Sequence, residues 1–252
     1  MTLAPRLMPR LLRGGIRGAF MTLCLWQMPQ LVGAEEIITD ARFLGDTTVY
    51  AHGVLGDEVE YSVLRIDTED TNGQRNTRSY SVFPDHVFED IAPRLWDIND
   101  NPGPEVVVIL TSLTQGASLA IFTKDGLLAH TPFIGRRNRW LAPIAAGDLD
   151  GDGSIEIAYI DRPHLAKTLR IWRLQENALV EVTSLTGLTN HRIGDDHIQS
   201  GLRDCGEGPE LITADATWQN IMATRLVNAR LTSRVLGRYQ GRSSISAALG
   251  CN

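Results

Sequence analysis

The feature that most constrains this chain is an acid-and-glycine segment that returns at a fixed spacing. Leu95-Trp96-Asp97-Ile98-Asn99-Asp100-Asn101-Pro102-Gly103-Pro104-Glu105 is followed by a Val run. It recurs as Ala146-Gly147-Asp148-Leu149-Asp150-Gly151-Asp152-Gly153-Ser154-Ile155-Glu156 with an offset of 51 residues, held from Asp97/Asp148 to Glu105/Glu156. A worn third copy runs through Leu202-Arg203-Asp204-Cys205-Gly206-Glu207-Gly208-Pro209-Glu210, where Glu210 follows Glu156 by 54 residues. Self-similarity at this period marks small structural units that bury their faces only against neighbours.

Each copy precedes the same grammar of short apolar runs split by turn residues. They cover 105–110, 118–123 and 127–133, then 155–160, 168–174 and 179–182, then 211–214, 221–226 and 231–236. Runs of this length between Gly, Pro, Asn and Asp read as strands. A divergent first unit fits 43–94, with runs at 59–66 and 79–83 and a polar, mobile turn at 67–78. The 23 Gly and 11 Pro agree with a turn-rich chain rather than a helical bundle. The expected fold is all-β, a small β-propeller of about four blades with Asp-rich calcium turns, built from units near 43–94, 95–145, 146–196 and 197–245. A fifth blade is conceivable from residues 37–43 and the C-terminal residues. A sandwich is the competing layout, but it does not require the loop to return at constant spacing.

The first 34 residues read as an export signal. Arg6, Arg10, Arg13 and Arg17 precede a short apolar run at 18–26, and Val32-Gly33-Ala34 supplies small residues for cleavage after Ala34. The apolar centre is too short and interrupted for a spanning helix, and Leu23-Cys24 lacks the small residue that precedes a lipidated cysteine. The mature chain, residues 35–252, is then expected in the periplasm or outside the cell without a membrane span. Losing four arginines takes its net charge from −6 to −10, which disfavours nucleic acid and suits cations. Cys24 departs with the signal, so the remaining Cys205 and Cys251 are expected to pair in an oxidising compartment.

The chemistry of the acidic segment is that of a hard-cation turn. Carboxylates of Asp148, Asp150 and Asp152 converge when the backbone curls, and Gly151 and Gly153 permit the curl. Calcium takes 6–8 oxygen ligands and can add Ser154 and Glu156; magnesium, with stricter octahedral demands, is the weaker candidate. An EF-hand needs an acid at position 12 and flanking helices; position 12 is Tyr159 and the flanks read as extended. A solvated turn without metal is the bland alternative. The copy with Asp97, Asn99, Asn101 and Glu105 loses formal charge and binds more weakly or not at all, and Leu202 at the third copy's first ligand position predicts no ion there.

Such loops, each followed by an apolar strand on an exported chain, resemble the FG-GAP/VCBS repeat family over residues 95–241, best at 148–157. The resemblance implies a calcium-bearing propeller related to the integrin α-subunit head, with calcium in a structural role.

Other signals are weaker. No GxSxG, HExxH or phosphate-cradling glycine loop is present in the sequence, so nucleophilic catalysis has no visible carrier. His191 and His197, six apart, sit among acids and could form a small metal or acid–base site, although loop and core histidines are commoner. Arg136, Arg137, Arg139 and Trp140 form a cationic loop on an acidic protein, fit to grip a carboxylate, an acidic sugar or an acidic partner patch, with Arg162, His164 and Lys167 on the same side. Salt bridging between blades is the alternative for those arginines, and inter-blade packing for the tryptophans. The expected role is a non-enzymatic protein- or polysaccharide-binding module. The rival is a calcium-assisted hydrolase or lyase whose ionisable groups from several blades meet in the central channel.

Overall fold

A computed structural model describes residues 35–99 and 101–251. The segment assigned as a signal, with its cleavage position at Ala34, lies outside the described residues. No helix among those described is long and apolar enough to cross a membrane.

The described chain is all-β apart from one short C-terminal helix, in three antiparallel sheets. The first sheet holds β1 (Glu36–Thr47), β2 (Glu60–Asp70), β3 (Arg75–Ser81), β4 (His86–Phe88), β5 (Arg94–Trp96), β6 (Glu105–Ser112), β7 (Gly116–Thr123) and β8 (Gly126–His130). The second is β9 (Leu141–Gly147), β10 (Glu156–Asp161), β11 (Thr168–Gln175) and β12 (Ala178–Thr186) in sequential order. The third holds β13 (Leu188–Thr189), β14 (Gly201–Asp204), β15 (Pro209–Asp215), β16 (Asn220–Val227) and β17 (Arg230–Arg238). Helix α1 (Arg242–Leu249) follows.

Why the sheets stack can be read from their inner strands. β6 carries Val106-Val107-Val108-Ile109-Leu110, buried throughout, so both faces need an apolar partner. Val106, Val108 and Leu110 pack with Leu64, Ile66 and Phe88 from β2 and β4. Val107 and Ile109 face the other way, onto Leu141, Ile157 and Tyr159 of the second sheet. β10 repeats this division: Ile157 joins that core, while Ala158 and Ile160 pack with Leu211 and Leu226 of the third sheet. Each such side chain contributes about 1.5–3 kcal/mol when fully buried, so the layers hold one another rather than standing alone.

Three strand groups share one layout. Glu105 pairs with Trp96, Glu156 with Gly147 and Glu210 with Arg203, so each acidic loop is a hairpin connection between a first strand and its neighbour. The flanks of the Asp148 loop are therefore strands.

Several details depart from expectation. The tract 67–78 is not a mobile turn: β2 and β3 run through it in register from Val63/Ser81 to Glu69/Arg75, leaving only four connecting residues, 71–74. Apart from the buried Thr68, its polar side chains are exposed or partly exposed and bond within the tract, as Thr77 with Asp67, or to β1, as Arg78 with Glu36, so polarity alone misread an exposed hairpin. The C-terminal residues build no fifth blade. They form α1, whose Ile245 and Ala248 cover Ile212, Ile221 and Ala223 on the third sheet. A disulfide between Cys205 and Cys251 ties the helix end to the loop after β14. The first two units share one sheet, because β4 pairs with both β2 and β6.

Candidate functional site

The acidic turn between β9 and β10 is organised by its own backbone. Asp148 accepts hydrogen bonds from the amides of Gly151 at 2.7 Å and Gly153 at 3.0 Å, both glycines having φ near +80° to +90°. Asp152 accepts from the Ser154 amide at 2.8 Å, which holds its carboxyl below the usual range. The buried Glu156 accepts from the Leu149 amide at 2.9 Å and from the guanidinium of Arg173, its cross-strand partner on β11. Burial nonetheless raises the Glu156 carboxyl. Oxygens of Asp148, Asp150 and Glu156 lie within 4.8 Å of one another. Asp152 instead turns to Arg173 at 3.0 Å, so one of the four expected carboxylate ligands stands outside the triad.

A cation fits this turn. Three carboxylates, of Asp150, Asp152 and Glu156, face the one guanidinium of Arg173, and the buried Oδ1 of Asp150 has no hydrogen-bond partner. All the donors are hard oxygens.

The sister loops solve the same problem differently. Glu105 takes the Ile98 amide at 3.3 Å and the Asn99 side-chain amide at 2.5 Å, and Asn101 donates its backbone amide to Asn99. Asp97 acts on Glu105 through charge, and burial raises the Glu105 carboxyl. Glu210 is clasped by Arg203, Arg225 and Arg234, which hold its carboxyl low against the opposing effect of burial.

The cationic loop sits at the other end of the strands. Ala117 donates to the Arg139 carbonyl at 2.8 Å, and Gly135 and Arg136 donate to the Gln115 carbonyl. Gly116 has φ +75°, and a Cβ there would lie 2.4 Å from the Arg136 carbonyl oxygen, so this loop needs glycine beneath it. Arg136, Arg137 and Arg139 make no ion pair among the described residues, so the expected alternative of inter-sheet salt bridging is not what occupies them. Arg137 lies over the ring of Tyr50 at 5.5 Å. Trp140 behaves differently from its expected binding role. It is 2 % exposed, donates its indole N–H to the Glu89 carbonyl at 2.9 Å and meets His191 edge-on, leaving no broad face for stacking.

Beside this loop lies a cleft of about 270 Å³ lined by His52, Arg139, Trp140, Arg162 and His164. Two aliphatic side chains flank it: Leu165 is 62 % exposed and Ile193 72 %. His52 Nδ1 meets the fully buried Glu89 carboxylate at 2.5 Å, and Thr111 donates to the second oxygen of Glu89 at 2.7 Å. His164 Nε2 is 3.0 Å from His191 Nδ1, and His191 Nε2 is 2.9 Å from the Asp195 carbonyl. A carbonyl only accepts, so His191 carries its proton on Nε2 and accepts at Nδ1 from His164, whose own Nδ1 is left unprotonated. Burial lowers both imidazoles, His164 to about 4, with charge on His191 and His52 adding to that shift. Behind His52, burial raises Glu89, takes Glu60 up to about 9 and Tyr50 up to about 12.

The partnership that the spacing of His191 and His197 allows does not form, and His191 is a core histidine. Gln199 bonds back to the Asn190 carbonyl, closing a loop that turns His191 inward, while His197 bonds to the exposed Asp196. The cluster of His52, Glu89 and His164 escaped sequence reading because its members come from separate connections, far apart in the chain, with no local spacing to link them. The chain matches no known family model and no curated protein.

Glu60 offers a pH test. Its folded pKa is raised, so the fold binds more protons than the unfolded chain between about 4.5 and 9, and stability falls as pH rises through that window. Glu60→Gln is expected to melt higher than wild type at pH 8, by at least about 2 kcal/mol of stability, and to match it at pH 4.5; equal melting at both pH values contradicts the assignment.

Proposed function

We propose that the mature chain is an exported β-propeller of FG-GAP/VCBS type whose acidic turn takes a structural calcium ion and whose cationic cleft binds a carboxylate-bearing ligand. Successive face-to-face sheets, the common layout of three strand groups and a contact between the Gly194 amide and the Val54 carbonyl at 3.3 Å support the circular arrangement. Calcium would be held by Asp148, Asp150 and Glu156, closing a turn in which like charges otherwise repel.

The observation that carries the binding role is three arginines without carboxylate partners beside a cleft, on a protein of net negative charge. Between the two expected ligand classes, an acidic protein segment fits better than a polysaccharide. Trp140 is buried and offers no stacking face, whereas Leu165 and Ile193 supply aliphatic contact for a side chain next to a carboxylate.

Two measurements test this. Calcium is expected to raise the melting temperature of wild type, by about 2.7 kcal/mol in stability at a hundredfold excess over Kd, and to leave Asp150→Ala unmoved; identical melting of both proteins in calcium and in chelator contradicts a calcium turn. In a titration with a peptide bearing two glutamates and a leucine, Arg139→Gln is expected to weaken binding about tenfold, in keeping with a charge-assisted hydrogen bond. Tighter binding of a polyuronate than of the peptide would reassign the ligand class, and unchanged affinity in the variant would remove the cleft from the site.

A further inference from the structure

Beyond binding, the cleft holds the parts of a proton-transfer centre. His52 is oriented by a fully buried carboxylate, Glu89, which is itself fixed by Thr111. That leaves His52 Nε2, and by the relay through His191 it leaves His164 Nδ1, as the ring nitrogens available to the cleft that both residues line. Neither nitrogen has a partner among the described residues and neither is buried, so both are open to solvent there. A base with an orienting group, beside an anion-stabilising guanidinium, is the minimum apparatus for activating water.

We infer that this cleft hydrolyses an ester of a carboxylate-bearing acyl group, with His52 as general base and Arg139 as the stabiliser of the developing oxyanion; the inference rests on the cleft's anionic-ligand reading. No Ser, Thr, Cys or Tyr lines the cleft, so attack falls to water. An imidazole base acting without a metal or a strong acid suits an ester, whose alkoxide leaves more readily than an amine. Nε2 of His52 removes a proton from water as the water oxygen bonds to the acyl carbon, and the carbonyl electron pair moves onto oxygen. On collapse the bond to the alkoxide breaks, and the proton on Nε2 passes to that leaving group. One ester and one water give one acid and one alcohol. His164 Nδ1 accepts a hydrogen bond from the attacking water and orients it; its low proton affinity keeps it an acceptor rather than a competing base.

The charged and titratable groups facing His52 are Glu89, the ring of Tyr50, His164, Arg139 and Arg162, with Glu60 behind Glu89. Arg162 is already held bidentately by Asp161, whereas Arg139 donates one N–H to the Asn138 carbonyl at 2.6 Å and has no carboxylate partner among the described residues, which leaves its other N–H groups to act.

The test compares the mono-p-nitrophenyl ester of succinate with p-nitrophenyl acetate. Wild type is expected to turn over the anionic ester faster, and His52→Gln to lose at least about a hundredfold in kcat/KM. Glu89→Gln is expected to lower kcat while leaving KM for the anionic ester near the wild-type value, a split that a general loss of packing does not produce. Melting curves report whether each variant folds, and Arg139→Gln, on an exposed loop, is expected to lose the preference for the anionic ester. Succinate binding, followed by calorimetry, separates the two readings: binding retained with no turnover overturns the hydrolysis alone, and absent binding overturns the ligand reading beneath it. Turnover unchanged in His52→Gln also overturns the inference.

Discussion

The structure depends on inner strands that are apolar on both faces. β6 and β10 send successive side chains into two different cores, so no sheet here is stable as a separate layer. Stacking then decides where everything else falls. The acidic hairpin loops lie at one end of the strands, and the longer connections, which carry His52, the arginine loop, His164 and His191, come together elsewhere. The last sheet finds its outer partner in α1, and the disulfide at Cys205 and Cys251 keeps that cover in place.

A second constraint is electrostatic. In three strand groups a glutamate at the first or second position of the strand after the loop is almost fully buried, at 4 % exposure for Glu105, 0 % for Glu156 and 2 % for Glu210. A buried carboxylate needs donors or cations. Glu105 finds a backbone and a side-chain amide, Glu156 finds an amide and Arg173, and Glu210 finds three guanidinium groups. In the third group the loop keeps Asp204 as an amide-bonded turn residue and Glu207, which pairs with Arg225. Positive charge is therefore supplied covalently by the chain in the third group. In the second, the single guanidinium of Arg173 serves Asp150, Asp152 and Glu156 together.

Much of this was legible in the sequence because it is local. The strands of the second and third sheets, the hairpin position of the Asp148 turn and the reason for Gly151 and Gly153 follow from periodicity and turn chemistry. Elements whose character depends on distant partners were not legible. α1 is eight residues long and owes its place to Ile212 and Ile221 beneath it, and the 67–78 tract is ordered by Glu36 from a strand some forty residues earlier. Trp140 reads as part of a cationic binding loop, yet its indole donates to the carbonyl of Glu89, 51 residues away in the chain. The histidine cleft is the extreme case, assembled by stacking from residues that share no local pattern.

The cleft is where the fold's demands and its chemistry meet. Burial makes charge expensive on His164, and the partners supplied to the two rings, Glu89 to His52 and His191 to His164, determine which nitrogen of each keeps its proton. The most direct measurement is long-range ¹H–¹⁵N correlation of the imidazoles near pH 7. A neutral His164 protonated on Nε2 and a proton on Nδ1 of His52 are expected; a charged His164, or His52 carrying its single proton on Nε2, would contradict the relay.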